Sequence, residues 1–382
     1  MRHIISNLTS GVAAIAAAAF FTGSVNAADL RYATGFAPNS TGAKAADAFA
    51  EKAKEISAGD LNIKVFAQSL LSFTEMSGGV RDNIADMGMV LFPYFPAEYP
   101  SATMISEMTM MFSLKETDFM GGPAWAGAFI EYVVLNCPKC QEELKAQNQV
   151  FTSTSATEYT MMCVKKVETS ADLKGLRIRA PGAHWTRWAQ SLGATSVAIP
   201  QNEIFEGLSQ GILDCSLSGT AELIDLSLID AVKFITDTVP GGGFGGTAQV
   251  NVNLDVWTGL TPEQRTNIAK AAVYQGAILS WNYRTNNAAA LEKAKEKGIE
   301  IVTPSPELVD ATHAFIEKDL GTIASNYASK YKLENTEQSV AKMRELYTKW
   351  VDLVADVKDG DALSELIWKE TFAKVDMEKY GM

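Results

Sequence analysis

A chain of 382 residues with 47% hydrophobic and 20% charged side chains can build a large globular core, and its length suits two lobes. The formal net charge of −12 argues against a nucleic-acid partner, because phosphate backbones select basic surfaces. A binder of anions with this charge must set a local cationic pocket against its own field, so each arginine in an apolar setting is informative.

Residues 1–27 read as a secretory signal peptide. Arg2 and His3 precede an apolar run over residues 11–21, and the small-residue site Val25-Asn26-Ala27 precedes Ala28. The run is well short of the ~20 residues that a membrane span requires. No cysteine stands at the cleavage site, so no lipid anchor is expected, and no later stretch is apolar enough to span a bilayer. The expectation is an exported, soluble protein. Loss of the leader removes one arginine and no acid, moving the net charge from −12 to −13.

Strands and helices alternate from residue 30 onward. "LRYATGF" (30–36) predicts a strand, Asn39-Ser40-Thr41-Gly42 supplies capping groups, and residues 43–56 carry alanine and phenylalanine at helical spacing. "LNIKVFA" (61–67) predicts the next strand, followed by a helix over about 73–85 and a buried strand, "MGMVLF" (87–92). Such a β-α-β-α-β order implies a mainly parallel sheet with helices on both faces.

Four cysteines follow, Cys137, Cys140, Cys163 and Cys215, and export places them in an oxidising compartment. "NCPKC" suits a small structural disulfide better than its two rivals. A redox Cys-x-x-C would sit beside a short thioredoxin-like unit, which is not evident. A zinc site would need two more ligands, and His184 and His313 lack ligand-like spacing. Cys163 and Cys215 read equally as a second pair or as two buried thiols.

The β-α-β-α-β order then returns: "GLRIRA", "HWTRWAQSLG", "ATSVAI", "PQNEIFEGLSQG" and "ILDCSLS". An echo accompanies it. Glu75-x-x-x-Gly79-Val80-x-x-x-Ile84-x-Asp86 matches Glu203-x-x-x-Gly207-Leu208-x-x-x-Ile212-x-Asp214. Placed at equivalent points of two units, it suggests two similar lobes, with the glycine letting helix meet sheet and the aspartate ending the turn into the strand. In "GLRIRAPG", Arg177 and Arg179 fall on one side of a strand in an apolar context, and such arginines call for an anion.

Beyond residue 220, "VKFITDTV" (232–239) and "TAQVNVNL" (247–254) predict strands around "PGGGFGG" (240–246). No helix starts directly after these glycines and no Lys-Ser/Thr follows, so they suit a bend or crossing between lobes rather than a phosphate loop. "TPEQ" (261–264) is a capping box with proline at the first helical position, opening a helix to about Lys297. That length exceeds ~50 Å, enough to lie across both lobes. Amphipathic helices over about 306–330, 335–357 and 361–377 close the chain.

Several of these segments resemble, in order and spacing, the DctP-type substrate-binding proteins of tripartite ATP-independent periplasmic (TRAP) transporters. The sharpest are "DLKGLRIRAPG" (172–182), "SLGATSVAIPQNEIFEGLSQGILD" (191–214) and "VNVNLDVWTGLTPEQR" (250–265). The resemblance covers nearly all of the chain after the leader. It implies an α/β, two-lobed periplasmic-binding-protein fold of type II, the Venus-flytrap type, with a long inter-lobe helix. Lobe 1 is expected over 28–157 plus about 219–249. Lobe 2 is expected over 158–218 plus about 250–300 with the inter-lobe helix, and 301–382 as C-terminal helices packing on both. It also implies a periplasmic receptor that closes over an organic acid and delivers it to the membrane permease subunits of the transporter.

On that resemblance Arg179 pairs with the ligand carboxylate, a role suited to a guanidinium's two parallel donors, while Arg177 is a surface charge. Ser218 stands where an asparagine commonly helps hold the ligand, Tyr159 lies near another polar contact, and Asn253 belongs to the matching asparagine segment. Trp185 and Phe205 offer aromatic surface, with Trp185 and Trp188 also suiting a core. Anchors for a polyhydroxylated sugar acid are missing. The reading therefore favours an aromatic or apolar monocarboxylate over a C4-dicarboxylate.

No cofactor or metal is expected. An enzyme is not expected either: Gly-x-Ser-x-Gly, His-Glu-x-x-His and paired-carboxylate motifs are all lacking. A binding protein of an ABC transporter, or a sensor, is the remaining alternative, which the long helix and the arginine strand disfavour.

Overall fold

The alternation at the start of the chain forms much as its pattern requires. In the computed structural model, which describes residues 28–114 and 120–382, strands β1 (Ala28–Thr34), β2 (Leu61–Ala67) and β3 (Met87–Leu91) lie with β1 in the middle, parallel to both neighbours. The expected leader, residues 1–27, falls outside the described residues. Ser40 caps the helix Thr41–Ile56 by accepting from the Ala43 amide at 3.3 Å. The helix expected over 73–85 shortens to Met76–Arg81, because Gly78-Gly79 weakens it and Asn83 turns out at φ 56°.

After β4 (Gln149–Phe151) the chain crosses over through β5 (Thr157–Glu158) and builds β6 (Thr160–Cys163), β7 (Arg177–Arg179), β8 (Thr195–Val197), β9 (Cys215–Ser218) and β10 (Phe234–Thr236). It returns through β11 (Gly243–Phe244) into β12 (Thr247–Asn253), and a last strand, β13 (Glu300–Val302), follows the long helix. One sheet has the order β2-β1-β3-β12-β4, the other β13-β10-β6-β9-β7-β8. β5 and β11 pair with each other, Gly243 opposite Glu158 and Phe244 opposite Thr157, so the two crossings run side by side. The fold is thus two-lobed.

The lobe boundaries differ from those read off the sequence. β10, at 234–236, pairs with β6 in the second lobe, while all of β12, 247–253, pairs with β3 and β4 in the first. The physical reason lies in the polar side chains of β12, all buried. Asn251 donates to Gln149 at 2.7 Å, and Asn253 donates to the Val80 carbonyl at 2.8 Å, partners that only the first lobe supplies.

The glycine run does cross between lobes, and it is tightly packed. Gly242 has φ 77°, and a Cβ there would lie 2.5 Å from the Cα of Met110. The helix Pro262–Glu296 opens on the expected capping box of Thr261 and Gln264 and runs 35 residues, ~52 Å. Its first half packs on the helices Thr41–Ile56 and Gly360–Glu370, and its end, Ala290 and Ala294, joins the second lobe's core with Leu208 and Ile235. Cys137–Cys140 forms the expected disulfide. Cys163 and Cys215 form a second, joining β6 to β9 at directly paired positions.

The sequence echo corresponds to one motif built twice. Asp86 accepts from the Arg31 amide at 2.7 Å and from its guanidinium at 2.9 and 2.8 Å. Asp214 does the same for Arg177, at 2.9, 3.0 and 3.1 Å. Each aspartate therefore fastens a turn to the strand beside it, and Arg177 is a clasp rather than a bare surface charge. Asp86→Ala and Asp214→Ala should each cost about 1–3 kcal/mol, since a main-chain N–H and a guanidinium lose their acceptor together. Urea denaturation at neutral pH reads this, and losses near zero would reduce both clasps to ordinary exposed ion pairs.

Candidate ligand-binding site

The C-terminal ends of strands from both sheets face one cleft between the lobes, whose free space, counting the part open to solvent, is about 420 Å³. From the first lobe come Phe36, just after β1, and Met89 and Leu91 of β3. From the second come Arg179, at the end of β7, and Glu222, just beyond β9. Ligands of open α/β sheets bind at these strand ends.

Arg179 is 1% exposed. Its Nη1 donates to the Leu217 carbonyl at 3.0 Å, its Nε to the Ile199 carbonyl at 3.3 Å, and its side chain also bonds the Tyr159 hydroxyl. Among the described residues no carboxylate forms an ion pair with it, whereas Arg177 and Arg187 both have one. A buried guanidinium held by neutral groups and facing a cavity is a ready anion anchor. The Tyr159 ring, which shares the wall, stacks on Phe244 at 5.9 Å and on Trp185 at 5.1 Å.

Glu222 faces the same cavity. One of its carboxylate oxygens accepts from the Gln201 amide, and the other, Oε2, is buried without a partner. Burial pushes this carboxyl up to about 7, Asp225 adds to the rise, and the Gln201 bond and Arg179 work against it. A second space adjoins it, sharing Phe36, Gln201, Glu222 and Tyr283 with the first. At its rim Asp225, in the second lobe, accepts from the main-chain N–H of Thr41, in the first, at 3.1 Å.

Of the residues singled out in the sequence, Arg179 and Tyr159 share the wall, and four others do not reach it. Trp185 is wholly buried behind Tyr159, because its helix, Ala183–Ser191, presses it onto the far face of that ring. Phe205 is 37% exposed on the helix Ile204–Ser209. Ser218 is buried within β9 opposite Thr160. Asn253 caps the helix Leu254–Gly259, its oxygen accepting from the amides of Asp255 and Val256 and its nitrogen donating to the Val80 and Arg81 carbonyls, so it has nothing left for a ligand.

Sequence reasoning missed Glu222, Gln201, Tyr283 and Phe244. Two signals were available: an acid in the apolar stretch "TAELI", and an aromatic isolated inside a glycine run.

The raised carboxyl of Glu222 gives a stability signature. The fold prefers its protonated form, so that contribution is complete below the ordinary value of 4.5 and is lost as pH rises through about 7. Glu222→Gln cannot ionise. The melting temperature of the variant minus that of the native protein should therefore climb between pH 5 and pH 8. A difference constant across that range would show Glu222 to be ionised throughout.

Relatives share this architecture. A monocarboxylate 2-oxoacid-binding periplasmic protein of Nostoc sp. (strain PCC 7120) is 26% identical over 215 residues, 55% of this chain, and the match spans only about half, 53%, of that protein's length. The 2,3-diketo-L-gulonate-binding periplasmic protein of Escherichia coli K12 is 24% identical over 290 residues, covering 75% of this chain and 84% of that one. Among solved structures, an extracytoplasmic solute receptor of Bordetella pertussis binding pyroglutamic acid has a TM-score of 0.69 at 22% identity, covering 84% of this chain and all of that one. A marine-metagenome TRAP solute-binding protein in complex with 3-hydroxybenzoate has a TM-score of 0.72 at 17% identity, covering 85% and 99%. Residues 32–325 match bacterial extracellular solute-binding protein, family 7, and the chain belongs to that family, the DctP family.

Proposed function

We propose that this protein is the periplasmic solute receptor of a TRAP transporter, that it holds an organic acid by its carboxylate on Arg179, and that it hands the acid to membrane permease subunits. The observation that carries the reading is the buried guanidinium of Arg179, which lines the inter-lobe cavity without a carboxylate partner among the described residues. Family membership supports the transport role. Among the described residues no helix is long and apolar enough to cross a membrane, which agrees with a separate permease.

The rings of Tyr159, Phe36, Phe244 and Tyr283 line the cavity, with Tyr159 braced by Trp185, and they favour an aromatic or otherwise apolar body on the acid. A structural neighbour binds 3-hydroxybenzoate, an aromatic acid, and another binds pyroglutamic acid, a cyclic one. A C4-dicarboxylate would want a second cation, and Arg179 is the only one among the described residues of this wall.

Arg179→Met should weaken carboxylate binding roughly thirtyfold to several-thousandfold, the cost of losing one side of a desolvated charge pair. It also strips donors from the Leu217 and Ile199 carbonyls, so some stability loss accompanies it. Titration calorimetry on variant protein that still melts cooperatively tests this, and near-native affinity would remove Arg179 from the site.

Ligand class is read from melting temperatures, which rise when a ligand binds only the folded state. Benzoate-type acids should raise the midpoint more than succinate, malate or fumarate at equal concentration. A strong response to the C4 acids with none to the ring acids would overturn the ligand class and leave the receptor role standing.

A further inference from the structure

We infer that the cavity selects acids carrying an N–H or O–H donor away from the carboxylate, with Glu222 as the acceptor that recognises it. The inference rests on Arg179 as the carboxylate anchor and adds the other half of the ligand.

The two connected spaces are electrically lopsided. Arg179 lines the first only and is the sole cation among the described residues around either. Of the two acids, Asp225 lines the second space and Glu222 lines both. Asp225 is occupied by the Thr41 N–H. Glu222 is half occupied: Gln201 takes one oxygen, and the buried Oε2 has no partner.

A buried acceptor without a donor is costly, and the remedy is a donor from the protein, from water or from a ligand. Here Glu222 lines both spaces, so its carboxyl stands where the far end of an acid held on Arg179 would lie. A hydroxyl or ring N–H placed there satisfies it, and the carboxyl keeps acceptor capacity whether ionised or protonated. A second carboxylate meets no cation there among the described residues, so nothing balances its charge. An apolar end leaves Oε2 unpaired. A site that hydrogen-bonds a substrate group discriminates strongly against the analogue lacking it, because the protein's own polar group is then stranded.

Matched pairs of ligands test this by calorimetry on the intact protein. Benzoate is compared with 3-hydroxybenzoate, and cyclopentanecarboxylate with pyroglutamate. In each pair the donor-bearing acid should bind about tenfold tighter or more. Glu222→Leu should bring each pair to within about threefold, and Glu222→Gln, which puts an NH₂ in place of one oxygen, should narrow the ratio as well. The glutamine variant keeps the test open if the leucine variant does not fold. Equal affinities within both pairs for the native protein, or ratios unchanged in a folded Glu222 variant, would overturn the inference. So would benzoate overtaking 3-hydroxybenzoate when calcium is added, since Glu222 would then serve a cation. Arg179→Met separates the two readings: it should weaken both members of each pair alike, and native affinities in that variant would sink the carboxylate anchor itself.

Discussion

A cavity between these two sheets depends on how the chain passes from one to the other. Two of its passages are strands, β5 outward and β11 back, and they hydrogen-bond to each other. Their pairing brings residues more than eighty positions apart to the same place. Tyr159 follows β5 directly and donates its amide to the Gly242 carbonyl at 3.0 Å, while Phe244 lies in β11 and stacks on the Tyr159 ring. The connection between the lobes and part of the wall of the site are thus the same few residues. Motion at the crossing is therefore felt at the wall, the arrangement expected where a hinge closes around a solute.

Charge is distributed with the same economy. A surface with an excess of acids surrounds one inward guanidinium, and the nearby arginines are already spoken for: Arg177 by Asp214, and Arg187 by Glu107 and Asp319. What separates Arg179 from its neighbours is its set of partners, since its bonds go to neutral carbonyls and a phenol. Neutral acceptors orient a guanidinium without cancelling its charge. The cavity keeps its positive charge on that side, and no cation among the described residues lies toward Glu222 and Asp225.

The repeated β-α-β-α-β order, the capped long helix and the doubled Glu-Gly-Asp pattern were legible in the sequence because each is local. Caps, periodicity and turns are set by residues a few positions apart. The lobe boundaries after residue 220 were not legible, since β10 and β12 look alike as isolated strands and only distant partners, β6 for one and β3 for the other, assign them to a sheet. The site divides in the same way. Arg177 and Arg179 stood out together as charges in an apolar strand, and the family resemblance singled out Arg179 and Tyr159. Asn253 looked like a ligand contact until its cap consumed both ends of the amide. Glu222 was invisible because its burial depends on Gln201, Tyr283 and Phe36, which reach it from three separate parts of the chain.

The two carbonyls that hold Arg179 belong to the main chain, at Ile199 and Leu217. Side-chain substitutions can accumulate at those positions without removing the acceptors, so the placement of this guanidinium is buffered against sequence drift. Glu222 and Gln201 have no such protection, because each depends on the other's side chain. One half of the site is therefore inherited with the backbone, and the other is free to be rewritten. A lineage built on this scaffold can change what its cavity admits by altering a few residues at the far wall while the guanidinium stays where it is.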